Sequence, residues 1–423
     1  MPTLLARTFA ALDSAGIVYC VLRDADRLDR LAAEGGELDL LVPGEQIAVL
    51  RRILREQGFV PLPAWGHAPH RFFLTFDAEA GIWLKADVVT RLVYSGRLHT
   101  DLGEVCLSRR RCAGEVFVPA PEEELIGLLL HAVLDKGHFA PHRQERLHAL
   151  RQGVTDPLHM TELLQRYWSP QMDWPTLSAL LEGGDWDTLL VQRDAVRAHL
   201  ARRAPLAARW SSARRRFERG IGRLLGLLRA PALPAVALLG PDGAGKSSLT
   251  GHLREQFALP VTPVYMGLYQ KSAARHSPLD RLPGLRFARL LLTQWRRYLR
   301  ARLAQAHGHL VLFDRYPYDA LLSSGRARGT LKRARRWLLA HACPPPDLVL
   351  VLDAPALMLF ARKGEHSPEA LEEQRQAYRA LAGRLPQARL IDTSGDPAQS
   401  ARAASAALWE TLQVRHGLAR RNA

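Results

Sequence analysis

Residues 240–248 read GPDGAGKSS, and this stretch decides what kind of fold surrounds it. Gly240, Gly245, Lys246 and Ser247 fit the pattern G-x-x-x-x-G-K-[ST]. Glycines at 240, 243 and 245 let the backbone turn tightly, so that successive N–H groups can face one anion. A lysine at this place reaches the β- and γ-phosphates of a nucleotide, and the next hydroxyl binds Mg²⁺. The pattern needs a strand before it and a helix after it. AVALLG (235–240) is a short apolar run of the buried-strand type, and SSLTGHLREQF (247–257) reads as a helix whose positive N-terminal dipole favours phosphate. The candidate nucleotide-binding set is therefore Gly240, Asp242, Gly243, Ala244, Gly245, Lys246, Ser247 and Ser248, with ATP and Mg²⁺ as the expected cofactors.

Beyond the loop, the apolar runs PVTPVYMG (260–267), HLVLFDR (309–315), LVLVLD (348–353) and ARLIDTS (388–394) alternate with helical stretches. Short apolar strands separated by helices predict a parallel sheet covered on both faces, an α/β three-layer fold. No N-K-x-D segment is present, which argues against a guanine-specific GTPase. The run LVLFDRYPYD ends its strand in Asp314-Arg315, where a motor-type ATPase usually carries an acid after the Asp. An arginine at the C-terminal end of such a strand faces the ligand crevice and can clamp a phosphate with two parallel hydrogen bonds. Asp314 could hold Mg²⁺ with Ser247 or orient an acceptor; a local Asp–Arg salt bridge is the other reading. Arg362 and Lys363 end the helix after LVLVLD, where cations on a closing flap can neutralise transferring phosphates. The candidate catalytic residues are Lys246, Asp314, Arg315 and Arg362.

These motifs together make residues 235–415 resemble the thymidylate kinase family of nucleoside monophosphate kinases. The resemblance rests on G-x-D-G-x-G-K-S at 240–247, on Asp314-Arg315-Tyr316, on the Leu-Asp-x-Pro turn ending at Pro355, on Arg362 and on Ile391-Asp392. It implies that Arg315 binds the acceptor's phosphate, that Arg362 acts on the transferred phosphoryl, and that Asp242 lies towards the acceptor sugar. It also allows a homodimer. The family's usual Arg-Glu-Pro after the second strand is replaced by Tyr265-Met266-Gly267 and QKSAARHSP (270–278), so the base-holding arginine is missing. The overall plan is more similar to two-domain thymidylate kinase-like proteins often encoded among bacterial surface-polysaccharide genes.

The N-terminal part is patterned differently. Strand-like runs fall at 17–22, 37–42, 70–76, 81–89 and 115–120, with helices expected over 3–15 and 44–58. In Glu37-Leu38-Asp39-Leu40 the two carboxylates share one face of a strand, and Asp87 in LKADVV can join them from a later strand. Three such acids can hold two Mg²⁺ ions and activate a hydroxyl against a nucleotide's α-phosphate. Glu37, Asp39 and Asp87 are thus candidate metal ligands, beside Ser247 and Asp314. The D-x-D-type strand, the following helix and Gly58-Phe59 resemble the nucleotidyltransferase fold. The Gly-Ser or Gly-Gly that usually precedes the acidic strand is replaced by YCVLRDADRLD (19–29). Arg23 is a candidate phosphate contact. His131 and Asp135 share a helical face, which a metal could use, but helix-end histidines usually only cap carbonyls or complement the dipole.

From Glu122 to about Arg229 the pattern is helical, ending in the basic amphipathic stretch RWSSARRRFERGIGRLLGLLRAP (209–231), read as a connector or an anionic-membrane contact. The expected organisation is an α+β nucleotidyltransferase-like domain over 1–121, a helical connector over 122–230 and a P-loop kinase domain over 231–423. Of 58 basic residues only 6 are Lys; with 42 acids the net charge is +16, which suits a nucleotide, nucleic acid or acidic membrane. No apolar run approaches membrane-spanning length, no secretory leader pattern is seen, and the four cysteines lack metal spacing. A cytoplasmic phosphotransferase acting on a phosphorylated small-molecule acceptor is the main expectation. The alternatives are a working N-terminal nucleotidyltransferase supplied by the kinase-like half, and a nucleotide-gated binding module.

Overall fold

The computed structural model describes residues 3–23, 27–63, 69–203, 217–218, 220–222, 231–268, 284–322, 330–364 and 366–418. They gather into two compact units. The first comprises Met1–Leu74 and Leu84–Gly222, the second Thr75–Trp83 and Arg223–Ala423.

The first unit is built on a sheet of β1 (Cys20–Val21), β2 (Gly36–Leu41), β3 (Val60–Leu62), β4 (Arg71–Asp77) and β5 (Ile82–Val89), in the order β1-β2-β5-β4-β3, of which residues 75–83 group with the second unit. The alternation in GELDLL sends Leu38 and Leu40 into the core and turns Glu37 and Asp39 the other way. β2 and β5 run parallel, with Asp39 opposite Asp87 and Glu37 opposite Lys85. Two short antiparallel ribbons follow, β6 (Val93–Tyr94) with β7 (Leu98–His99), and β8 (Arg111–Ala113) with β9 (Val116–Val118).

The expected boundary between 121 and 122 falls inside this unit. One apolar core runs from Cys20 and Leu41 on the sheet to Leu200 in the helix Arg193–Arg203. The helix Pro121–Leu130 explains the continuity. Its first turn holds Glu122, Glu123 and Glu124, favoured there by the helix dipole, yet all three are buried. Buried carboxylates need partners. Glu122 accepts from the N–H groups of Thr155 and Asp156, Glu123 is bonded to His159 and ion-paired with Arg109, and Glu124 accepts from Arg146. Asp156, Asp173 and Asp185 cap the helices Pro157–Tyr167, Trp174–Gly183 and Trp186–Val191, each accepting an N–H three residues on. Most of the basic stretch 209–231 lies outside the described residues.

The second unit carries β10 (Ala235–Leu239), β11 (Val261–Tyr265), β12 (Leu310–Asp314), β13 (Leu348–Asp353) and β14 (Ala388–Asp392), ordered β11-β12-β10-β13-β14 with every pairing parallel. All five residues of β10 are buried, so both faces of the sheet are covered at its centre, as the apolar run requires. The expected α/β parallel sheet is present. The phosphate-type loop leaves the central strand, and the C-terminal ends of β10, β12 and β13 point the same way. That arrangement places Gly240, Asp314 and Asp353 at one edge of the sheet. Among the described residues no helix is long and apolar enough to cross a membrane, and the four cysteines are free thiols.

Candidate active site

The loop from Gly240 to Gly245 needs three residues at positive φ, and glycine occupies each: Gly240 (+144°), Gly243 (+84°) and Gly245 (+89°). A Cβ on Gly243 would lie 2.8 Å from the Leu359 carbonyl oxygen, which is backbone and cannot move aside. Gly243→Ala therefore combines a strained φ with a clash, each worth about 1–3 kcal/mol. It should lower the melting temperature and abolish nucleotide-induced stabilisation in a thermal-shift assay. Unchanged stabilisation by nucleotide would remove the loop from the binding site.

The helix Lys246–Gln256 starts directly at Gly245, with no side chain capping its N-terminus. First-turn N–H groups unmatched within a helix suit an anion at that place. The Lys246 ammonium folds back over the loop and donates to the carbonyls of Gly240 and Pro241, both at 2.8 Å. Burial, aided by the positive charge of Arg315, pushes its pKa down to about 8. A triphosphate beside Lys246 would favour the charged form and raise that value. Affinity should thus be fullest below pH 8 and fall by up to tenfold per pH unit above it, with a proton taken up on binding. Calorimetric titration in buffers of different ionisation enthalpy checks this; proton release at pH 8.5 would contradict it.

Arg315 follows β12 with φ +63°, one of two non-glycine residues at positive φ among the described residues. Its N–H donates to the Leu238 carbonyl at 3.1 Å, which holds the turn against β10. Such a strained conformation persists only where its surroundings impose it. The guanidinium donates to Asp242 Oδ1 at 2.6 Å and lies 3.6 Å from Asp319 Oδ2. Asp319 also accepts from the Tyr378 hydroxyl at 3.0 Å. Burial raises the Asp319 pKa, against the opposing pull of Arg315 and Tyr378. Asp242 Oδ1 is further approached by Lys363 Nζ (3.8 Å) and Lys246 Nζ (4.0 Å). Three cations thus surround one carboxylate oxygen at the loop.

A cavity of about 670 Å³ opens here. Its wall includes Asp242–Ser248, Asp314, Arg315, Arg362 and Lys363. The structure therefore brings the expected residues together, apart from Gly240. That residue lies behind the wall, where it supports Lys246 through its carbonyl. Arg362 donates to the Thr393 carbonyl at 2.9 Å, which ties it to the end of β14. Asp319 lies four residues after Arg315 in the same run, whereas Tyr378 and Thr393 carry no local motif and only the fold brings them to Asp319 and Arg362. Ser247 and Asp314 supply a hydroxyl and a carboxylate to one cavity, a hard-oxygen donor set that fits Mg²⁺.

In the first unit, Glu37, Asp39 and Asp87 converge. Their ligand oxygens lie within 4.8 Å of one another, the one such group of three among the described residues. The parallel register of β2 and β5 produces this. Each acid also has a cationic or histidine partner: Lys85 on Glu37 (2.8 Å), Arg23 on Asp39 (2.9 Å) and His70 on Asp87 (2.9 Å). A second cavity, of about 580 Å³, includes Arg23, Asp39 and His70 in its wall. His131 does not join the acids; it bridges Asp135 and Arg23, at 3.0 Å from each.

Comparison with known proteins bears on the second unit. Residues 235–398 match the family model described as an AAA domain. An uncharacterised ATP-binding protein of Escherichia coli (strain K12), YghS, is 26% identical over 198 residues, spanning 36% of this chain and 82% of that protein. A solved thymidylate kinase from Candida albicans covers 45% of this chain and 96% of its own, at 17% identity and a TM-score of 0.32. The C-terminal unit is a P-loop domain of nucleotide-binding type, with a five-stranded parallel sheet.

Proposed function

We propose that the C-terminal unit transfers the γ-phosphoryl group of ATP to a phosphorylated small molecule, a nucleotide or a sugar phosphate. One observation carries this reading: Lys246, Arg315 and Lys363 converge beside the glycine loop on a single cavity. ATP hydrolysis alone needs the loop and its lysine. Arg315, brought in from a different strand end, supplies a fork for a second phosphate.

In this reading an anionic oxygen of the acceptor's phosphate attacks the γ-phosphorus, the bond to the β–γ bridging oxygen breaks, and ADP leaves. The attacking oxygen carries no proton, so no general base is required. The work of the chain is positioning and charge neutralisation. Loop N–H groups and Lys246 hold the β- and γ-phosphates. Arg315, steadied by Asp319, aligns the acceptor. Arg362 and Lys363, at the end of one helix, offset charge on the transferring group. Mg²⁺, held by Ser247 and through water by Asp314, would neutralise the β- and γ-oxygens. A cytoplasmic setting, where ATP and reduced thiols coexist, suits this role.

The test is product analysis of Mg-ATP with full-length protein and a panel of nucleoside monophosphates and sugar phosphates. ADP formed in proportion to one acceptor is the expected result. ADP formed at the same rate with and without every acceptor would reduce the domain to an NTPase.

The convergence of Glu37, Asp39 and Asp87 favours a second activity in the N-terminal unit, nucleotidyl transfer with release of pyrophosphate. Their carboxylate donors fit Mg²⁺, which would polarise the α-phosphate. Asp39→Asn and Asp87→Asn should each reduce pyrophosphate release at least about 10²-fold while leaving ADP formation intact. Pyrophosphate release that survives both substitutions would sink this second reading.

A further inference from the structure

The 580 Å³ cavity of the first unit has a wall that the carboxylate trio does not explain. It lies within the size range of small-molecule sites. Arg23, Arg27, Arg91, Arg143 and Arg146 all line it, and the last two come from the helix Pro141–Gly153 rather than from the sheet. Arg146 is committed to Glu124 through two hydrogen bonds, of 2.7 and 2.8 Å. Arg23 is held on both sides. Its Nε lies 2.9 Å from Asp39 Oδ2, and its Nη1 lies 3.0 Å from His131 Nε2.

Arginine can only donate, so His131 accepts through an unprotonated Nε2. Its Nδ1 then carries the proton and donates to Asp135 Oδ2 at 3.0 Å, while Asp135 Oδ1 accepts the Ser95 N–H at 2.6 Å. Burial keeps the His131 pKa low, with Arg23 adding to the effect, consistent with the neutral ring. His131 and Asp135 lie on a π-helical turn, His131–Lys136, that prolongs the helix Pro121–Leu130. Such turns occur often at functional sites.

A further wall residue, Glu123, is fully buried. Its Oε1 accepts from His159, but its Oε2 has no hydrogen-bond partner among the described residues. A buried carboxylate oxygen without a donor is costly, and a donor on a ligand would remove that cost.

We propose that this cavity binds an organic phosphate. Arg23, Arg91 and Arg143 hold the phosphate, a hydroxyl or amino group of the ligand donates to Glu123, and His131 with Asp135 acts as the positioning pair for Arg23. Guanidinium forks match phosphate geometry, and arginine stays charged at any working pH. This site is separate from the P-loop, and it does not require that nucleotidyl transfer take place.

Binding is measured by calorimetry on full-length Lys246→Ala protein, which lacks the ammonium of the P-loop, so that the response to the arginine substitutions below assigns the signal to this cavity. The probes are inorganic pyrophosphate, a panel of hexose phosphates and the four ribonucleoside triphosphates, each with and without Mg²⁺. At least one organic phosphate should bind more tightly than pyrophosphate. Arg91→Gln and Arg143→Gln should each weaken it about tenfold, the loss of one charge-assisted hydrogen bond. His131→Ala should weaken it several-fold. His131→Gln, whose amide oxygen can still accept from Arg23, should restore most of the affinity, which a merely structural role would not do. No binding by any probe at millimolar concentration, or affinity unmoved by both arginine substitutions, overturns the proposal. Pyrophosphate release, read in parallel with Asp39→Asn, reports separately on nucleotidyl transfer.

Discussion

Lys246→Ala should reduce acceptor-dependent ADP formation by about 10²–10⁴-fold, the range seen when a preorganised charge is removed from a transferring group. The ammonium is held over the loop by the carbonyls of Gly240 and Pro241, and these bonds are the ones a β- or γ-phosphate would replace. Removing it takes away the charge nearest the bond that breaks. It leaves the carbonyls of two buried loop residues without that donor, at a cost of about 1–3 kcal/mol, so the melting temperature should fall while the fold survives. Circular dichroism and the melting temperature check that point. ADP formation within threefold of wild type, in a folded variant, would mean that the chemistry lies elsewhere. Lys246→Arg should not rescue, because a planar guanidinium cannot follow the path of an ammonium in so confined a loop.

Arg315→Ala should have the second large effect, a fall in kcat/KM for the phosphorylated acceptor of about 10²–10³-fold, with the KM for ATP moved much less. Two costs add. The acceptor's phosphate loses its fork, and Asp319 loses the cation that offsets its burial. The Asp319 pKa should therefore rise further in the variant. A carboxyl that becomes protonated can still accept from Tyr378 but no longer orders the site by charge. Arg315→Lys separates the two contributions. It restores a charge near Asp319 without the fork, so the protein should regain stability while kcat/KM stays low. Equal losses for ATP and acceptor would instead make Arg315 part of the nucleotide pocket.

The behaviour of Asp242 links these expectations. It was expected to lie towards an acceptor sugar, and in the structure its Oδ1 sits among Arg315, Lys363 and Lys246. A carboxylate among three cations is where an anionic group of a substrate would also be stable. Competition between Asp242 and a phosphate for the same cations is a reason for Arg315 to be held before any ligand arrives.

Much of the second unit was legible in the chain itself. An apolar strand, a glycine loop, a lysine and a helix are contiguous from 235 to 257, and their chemistry depends on backbone torsions that only glycine adopts readily. The run LVLFD likewise announces a buried strand, and parallel pairing carries Asp314 and Arg315 to the loop's edge of the sheet. The acid trio was half legible. Two-residue alternation puts Glu37 and Asp39 on one face by local geometry, whereas Asp87 meets them only because β2 and β5 pair in one particular register.

What the chain did not disclose lies in contacts between distant segments. The three glutamates at 122–124 open a stretch that reads only as helical, but the fold buries them against Arg109, Arg146 and Thr155 and fuses sheet and helices into one unit. Arg23 and His131 stand 108 positions apart, and Asp319 and Tyr378 59 apart, so no motif could pair them. Sequence by itself determined where a phosphate can be gripped, because that grip is made of neighbouring backbone N–H groups. Tertiary structure alone decided which charges surround each site, because charge acts through space and the chain returns to the same place from many directions.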